Sequence, residues 1–369
     1  MNRIIKEDLL AIADSPLIDW DRFCQKTVFI TGCYGMIASY LVYQLIYLNE
    51  SSPERKIKII GVGRSREKAE KRFGEYLSRE YFTFIEGDVC SPVEPDGTVD
   101  FIIHAASPAS PQYYGTDPVG VLMPNIFGTF QMLELSRRHK VEGCLFLSSG
   151  ALYGDVAGKE TVTEKDYGYL DILNIANCYS ESKRMGEAMC SAWKHQYGVP
   201  VKTARIYHVY GPTMDIQSDK RVFAEFTADV VANRNISMKS DGRKKRPFCY
   251  ISDAVIALFK LLLDGEPGEA YNVCNSENFI SIRELAETMA SLYPEKGLRV
   301  VMDQRRADAG YVEDVKAFDN PPDSDKIKAL GWFPRYDVAE GFRRTVDSFL
   351  ESESPAKDCL GHRQNPQQK

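Results

Sequence analysis

The sequence predicts an α/β fold: a doubly wound parallel sheet followed by a smaller mixed α/β C-terminal lobe. Three observations carry this prediction. Short unbroken apolar runs such as Thr27-Val28-Phe29-Ile30 recur through the first half of the chain, with helix-patterned stretches between them. Strands buried on both faces read as continuous apolar runs, and their alternation with helices is what a parallel sheet covered on both sides requires. A glycine-rich turn, Thr31-Gly32-Cys33-Tyr34-Gly35-Met36-Ile37-Ala38, joins the first run to an apolar helix. Beyond residue 208 the pattern becomes mixed, with shorter strands and helices.

Taken in order, residues 3 to 23 read as a helical preface interrupted at Pro16, whose ring excludes it from a helix interior. Residues 1–25 are therefore an N-terminal helical extension. Strands are expected at Thr27–Ile30, Ile57–Val62, Tyr81–Glu86, Val99–His104, Cys144–Ser148 and Val201–Tyr207. Helices are expected over Ser39–Asn49, Gly128–His139 and Tyr179–Tyr197. These elements make a domain of residues 26–207, with part of 246–264 returning to it. A second lobe spans 208–350 and includes a short strand at Ala270–Cys274 and a helix at Ile282–Tyr293. Residues 351–369 are polar and read as a flexible tail.

Bulk properties exclude several classes. With 369 residues, 44% of them hydrophobic, the chain can bury one large or two modest cores. A net charge of −6 and the lack of a basic stripe argue against nucleic acid. Nine cysteines are scattered without C-x-x-C spacing, several within apolar runs, which reads as reduced thiols in a cytoplasmic protein and no metal or disulfide framework. No apolar run approaches the roughly 20 residues of a membrane span, and the N-terminus lacks the apolar core of a signal peptide.

The glycine turn follows a strand and opens a helix. Gly32 and Gly35 permit a tight turn and close backbone approach, and the helix N-terminus then faces the pyrophosphate of a dinucleotide. Ala38 takes the third glycine position. Tyr34, Met36 and Ile37 belong to the same cofactor turn. This is the arrangement of a Rossmann-type sheet. The second strand ends in Gly63-Arg64-Ser65, where an acidic residue would hold the ribose 2′-hydroxyl of NAD. Arg64 and Ser65 suit a 2′-phosphate, which tilts the reading from NAD towards NADP; the alternative is an Arg64 stacked on adenine or solvated. After the third strand, Asp88 and Val89 are candidates for the adenine, and Asp88 is equally a candidate strand-end cap.

Tyr179 and Lys183 stand one helical turn apart in CYSESKRMGEAMC, on one helix face. The ammonium can favour the phenolate of a tyrosine whose unperturbed pKa of about 10 is otherwise too high for a base at neutral pH. Such a phenolate takes a hydroxyl proton while hydride leaves the same carbon. The spacing alone also describes a chance pair on a solvated helix; the upstream glycine turn gives it chemical meaning.

Together with GDV, HAASPASP, Asn125-Ile126-Phe127-Gly128-Thr129, LSSGALYGD, ARIYHVYGP, RPFCYISDA and DSDKIKALGWFP, these motifs resemble the extended short-chain dehydrogenase/reductases of the epimerase/dehydratase family, which modify nucleotide sugars. The resemblance spans residues 26 to 345, and HAASPASPQYY and CYSESKRMGEAMC are worded most like the UDP-glucuronate decarboxylases. It implies a Rossmann domain, a C-terminal substrate lobe and a nucleotide-diphosphate sugar in the cleft. Ser149 matches the catalytic Ser/Thr. Lys183 would also hold the nicotinamide ribose, with Ala105 at the cofactor. On the substrate side stand Ser107, Asn125 (usually read as structural), Arg246 for the diphosphate, and Arg221 and Arg306 for the same anion. His208 occupies a position where the family often has Asn, and packing is its alternative role. The resemblance also implies a homodimer built from two helices per subunit, here Gly128–His139 and the Tyr179 helix.

Two positions depart from the pattern. The family's 4,6-dehydratases carry Asp-Glu directly after the catalytic Thr, and its decarboxylases a Glu two residues before the Tyr-Gly pair. Here the residues are Gly150 and Ala151, and neither titrates. The expected activity is therefore a nucleotide-sugar 4-epimerase; a 4-ketoreductase using NADPH and a decarboxylase-like enzyme are the alternatives. A non-enzymatic dinucleotide sensor would have no need of Ser149, Tyr179 and Lys183 together.

Overall fold

The computed structural model describes residues 1–302 and 320–353. Helix α1 (Arg3–Ala13) is capped by the Asn2 side chain and ends before Pro16. Strand β1 (Thr27–Thr31) is buried throughout and runs through the glycine turn into α2 (Met36–Ser51). Then come β2 (Lys58–Gly63), α3 (Arg66–Phe73), β3 (Phe82–Glu86) and β4 (Phe101–His104). Short helices α4 (Gln112–Thr116) and α5 (Pro118–Met123) precede a wide turn over Pro124–Gly128 and α6 (Thr129–His139). Strand β5 (Gly143–Ser149), helix α7 (Cys178–Tyr197) and β6 (Val201–Ile206) complete this half.

The second half begins at once with β7 (His208–Tyr210), then α8 (Val222–Val231), β8 (Ile236–Met238), β9 (Lys245–Tyr250) and α9 (Ile251–Asp264). It continues with β10 (Ala270–Val273), β11 (Phe279–Ser281), α10 (Ile282–Ser291), β12 (Val300–Met302), α11 (Asp325–Lys328) and α12 (Val338–Glu353).

Seven strands form one parallel sheet in the order β10-β6-β5-β4-β1-β2-β3. Side chains alternate across it with period two. Val28 and Ile30 of β1 and Phe101 and Ile103 of β4 join one apolar layer with Tyr40, Leu41 and Phe259 of α2 and α9. Phe29 and Ile102 face the other layer, with Met132 and Leu133 of α6 and Cys190 of α7. That two-sided burial is why the strands read as unbroken apolar runs. The strand order reverses between β1 and β4, so their carboxyl ends open a crevice, which is where doubly wound sheets bind ligands.

One element is placed differently from the sequence reading. A strand at Ala270–Cys274 was expected in the second lobe; observed over Ala270–Val273, it is the edge strand of the main sheet, parallel to β6 with Ala270 opposite Thr203. Helix α9 packs on β5 and β6 and carries the chain back to that edge. A four-residue strand has no local mark of the sheet it joins. The remaining strands form a three-stranded sheet β11-β9-β7 and the pair β12-β8 beside the crevice.

Helix α1 is built into this core. The Asp8 carboxylate is fully buried and accepts from Tyr40 and Tyr250, each at 2.7 Å, and from Arg344 at 2.7 Å. It joins α1 to α2, to the end of β9 and to α12.

Candidate active site

The glycine turn at the end of β1 brings the chain against the loop that leaves β4. Gly32 has φ +62°, and a Cβ on it would stand 2.8 Å from Ala106 Cα, so both its conformation and its contact require glycine. Thr31 fastens the two loops: its hydroxyl oxygen accepts from the Ala105 and Ala106 N–H groups at 3.1 and 3.2 Å. Thr31 Oγ1 lies 2.8 Å from Nδ1 of His104, whose Nε2 lies 3.2 Å from the Pro124 carbonyl. Burial holds His104 neutral, its pKa pushed down to about 3. Nε2–H therefore donates to Pro124, and Nδ1 accepts from Thr31.

The residues here fit a dinucleotide. Gly35 caps α2 without a side chain, so the first N–H groups of a sixteen-residue helix point into the crevice uncapped. On the loop after β4, the hydroxyls of Ser107 and Ser110 are buried without a hydrogen-bond partner. Met36 and Ile37 form the first turn of that helix, and the Thr213 hydroxyl donates to the Met36 carbonyl at 2.9 Å, tying the second lobe to the cofactor turn.

At the end of β2, a Cβ on Gly63 would stand 2.3 Å from the Tyr34 ring. A side chain at 63 would therefore run into Tyr34, whose hydroxyl accepts from the Arg64 N–H at 3.1 Å. Ser65 caps α3 by accepting from the Lys68 N–H. Asp88 caps its own turn, accepting from the Cys90 N–H at 2.9 Å, and this bond holds its carboxyl below the usual range. Val89 is buried beneath α6.

The catalytic candidates converge at the ends of β5 and α7. Ser149 is the last residue of β5, and its Oγ accepts from the Ala151 N–H at 3.2 Å. Tyr179, 6% exposed, stacks on Tyr114 with ring centroids 5.3 Å apart and planes at 11°. Burial pushes its phenol above the ordinary value, while a hydrogen bond with Ser149 and the Arg221 guanidinium pull it back.

Lys183 shares a helix face with Tyr179 and is itself buried. Its Nζ lies over the Tyr179 ring at 5.7 Å and donates to the Leu147 carbonyl at 2.7 Å. The i, i+4 spacing fixes a common face, but the nearby strand carbonyl determines where the ammonium ends. Burial lowers Lys183 to about 7, opposed by Glu187. Glu187, one turn further along α7, accepts from Ser148 at 2.6 Å and from Arg205 at 2.7 Å.

Asn125 lies within the scaffold. Its amide donates to the Val121 carbonyl and to Ser182, while Oδ1 is buried and unpartnered. It steadies α7 one residue before Lys183. On the other wall, His208 of β7 faces Phe248 of β9 and Phe223 of α8. Burial, Arg246 and Arg221 together hold His208 well below its ordinary value, so it is neutral. Arg221, paired with Asp219, acts electrostatically on both Tyr179 and His208. Arg306 lies outside the described residues.

Position 150 has a steric explanation. A Cβ there would stand 2.5 Å from the Tyr207 ring, which is buried and sits over Tyr153. No carboxylate fits at 150 while Tyr207 keeps this place. Tyr207, Tyr114, Thr31 and His104 escaped the sequence reading, because aromatic and polar residues in apolar strands look like ordinary core. The adjacent tyrosines of PQYY were the one local signal for Tyr114.

The model of the NAD dependent epimerase/dehydratase family matches residues 28–274. UDP-glucuronic acid decarboxylase 6 of Arabidopsis thaliana is 31% identical over 344 residues, which cover 91% of this chain and 92% of the relative. The UDP-glucose 4-epimerase of Thermotoga maritima, solved with UDP-glucose, superposes with TM-score 0.73 at 22% identity, covering 89% of this chain and 100% of its own. A dTDP-glucose 4,6-dehydratase of Bacillus anthracis, solved with NAD, gives 0.68 at 20% identity, covering 89% and 97%. Those two structures share the fold with each other and with this chain, yet their names specify different reactions.

Proposed function

The chain belongs to the NAD dependent epimerase/dehydratase family, and from that premise we propose that it is a nucleotide-sugar 4-epimerase. One observation carries the choice of reaction: the turn after Ser149 holds Gly150, closed to any side chain by Tyr207, and Ala151, which cannot titrate. Dehydration and decarboxylation by this family need a carboxylate on that turn. Epimerisation needs only a base, a hydroxyl anchor and a reversible hydride acceptor.

Bound NAD(P) would supply that acceptor. Tyr179 takes the C4 hydroxyl proton and later returns it. Ser149 holds that hydroxyl and, with Arg221, favours the phenolate. Lys183, tied to the Leu147 carbonyl, keeps a donor at the buried end of the site, where the nicotinamide ribose would be held. Arg221 and Arg246 flank the place for a diphosphate, beside His208. The stack with Tyr114 covers one ring face of Tyr179, so a sugar meets the hydroxyl edge. Ser107 and Ser110, with unpartnered buried hydroxyls, serve the bound ligands.

The test is incubation with UDP-glucose, UDP-N-acetylglucosamine and UDP-glucuronate plus NAD or NADP, with products resolved by chromatography. The expected product is the C4 epimer of one of them. Tyr179→Phe should lower turnover by roughly 10²–10⁴-fold, the usual worth of a general acid–base group. Release of carbon dioxide from UDP-glucuronate would replace this reading with the decarboxylase suggested by the 31% identical relative. A reductase is the second reading, favoured by Gly63, closed to an acidic side chain by Tyr34, followed by Arg64. NADP recovered from the denatured protein, with net oxidation of NADPH by a 4-keto sugar, would select it. We place the protein in the cytoplasm, as a homodimer.

A further inference from the structure

We propose that His208 is a proton-linked sensor of the substrate diphosphate: neutral in the free protein, it takes up a proton from solvent when the diphosphate enters beside Arg221 and Arg246. The inference rests on the nucleotide-sugar reading above and adds a regulated protonation to the same site.

The geometry comes from three elements. His208 of β7 pairs in parallel register with Phe248 of β9. Side chains alternate along a strand, so Arg246, two residues before Phe248, lies on the His208 face of the small sheet. From α8, the Phe223 ring stands 6.2 Å from His208 and 6.1 Å from Phe248, and the Arg221 guanidinium lies 4.9 Å from the Phe223 ring. The charged groups acting on His208 are the two guanidiniums; the carboxylate nearest in sequence to Arg221, that of Asp219, is paired with it at 2.5 Å. Nδ1 of His208 is buried and has no hydrogen-bond partner.

In this setting a proton on the imidazole would add a third positive charge beside the two guanidiniums, which, with burial, holds His208 well below its ordinary value. A diphosphate reverses the local sign. It offsets both guanidiniums and offers acceptor oxygens to imidazole N–H groups. Binding and protonation are then linked, each promoting the other by the same factor. Asparagine, which the family often carries here, cannot titrate and would bind without this linkage.

The test is calorimetric titration with UDP-glucose, dTDP-glucose and GDP-mannose in buffers of different ionisation heat. Their diesterified diphosphates carry no group titrating near neutrality. The expected result is proton uptake on binding, with affinity rising by up to about tenfold for each pH unit lowered across roughly pH 6 to 8. In His208→Asn the uptake and the pH slope should vanish. Binding without uptake in the unmutated protein overturns the proposal whether or not the variant folds. Uptake that persists in a folded His208→Asn or His208→Gln also overturns it. Failure of all three sugars to bind overturns the nucleotide-sugar reading, and this inference with it.

Discussion

At Lys183 the spacing in the sequence and the surroundings in space have different consequences. The spacing places Lys183 below Tyr179 on one helix face, and the structure turns its ammonium to the Leu147 carbonyl in a buried site. An unfolded lysine titrates near 10.5 and this one near 7, so between those values the unfolded chain binds more protons. Stability must then rise with pH across that window and carry a constant penalty below it. We expect Lys183→Met to gain stability relative to the parent, most below about pH 7, with the gain shrinking towards about pH 10. Thermal unfolding of both proteins across this range checks it, and a difference flat in pH would refute the assigned burial. Gly150 is the second case. The sequence shows only that it cannot titrate; the reason for glycine is Tyr207, 57 residues away and invisible to any local pattern. Gly150→Ala should cost roughly 1–3 kcal/mol, the usual cost of overpacking a filled site, and reduce turnover through the adjacent Ser149. A melting temperature and turnover equal to the parent's would show that Tyr207 can move.

Among elements, legibility follows the distance over which each is determined. The glycine turn, its flanking strand and its helix are set within about twenty residues and were readable. The sheet assignment of Ala270–Val273 depends on where α9 returns the chain, and was not. Helix α1 was readable as a helix, but its attachment was not, because Tyr40, Tyr250 and Arg344 converge on Asp8 from three distant segments. Burial raises the Asp8 carboxyl while Arg344 and the two phenols oppose that shift. Asp8→Ala leaves a guanidinium and two hydroxyls without this partner, and should cost roughly 3–5 kcal/mol. Asp8→Asn retains acceptors for the hydroxyls and should cost less. Urea unfolding of both variants checks the order; equal, small losses would mean that apolar contacts alone dock α1.

For the whole molecule, the proposed site draws on both halves of the chain: the glycine turn after β1 with Tyr179 and Lys183 of α7 from one, and His208 and Arg246 of the small sheet with Arg221 at the start of α8 from the other. Its helical flank carries a different feature. Val119, Met123, Phe127 and Phe130 recur at intervals of four, four and three along α5, the wide turn and α6, and are 36 to 64% exposed. Met185 of α7 is 51% exposed, and the edge contact of Phe130 with Trp193 brings α6 and α7 side by side. An apolar stripe of this kind on two adjacent helices would suit a second copy of itself across a two-fold axis. The homodimer we propose uses this face, and α7 then carries an interface on one side and Tyr179 with Lys183 on the other. Light scattering at micromolar concentration should give twice the monomer mass for the parent. Phe127→Asp combined with Phe130→Asp should give the monomer, because two carboxylates would be desolvated at the contact. A monomeric parent would remove the dimer from this reading, and a variant that stays dimeric would move the interface to another face. Because Asn125 and Ser182 join the wide turn to α7, separation of the subunits should also loosen the catalytic helix and lower turnover without altering the pH dependence of diphosphate binding.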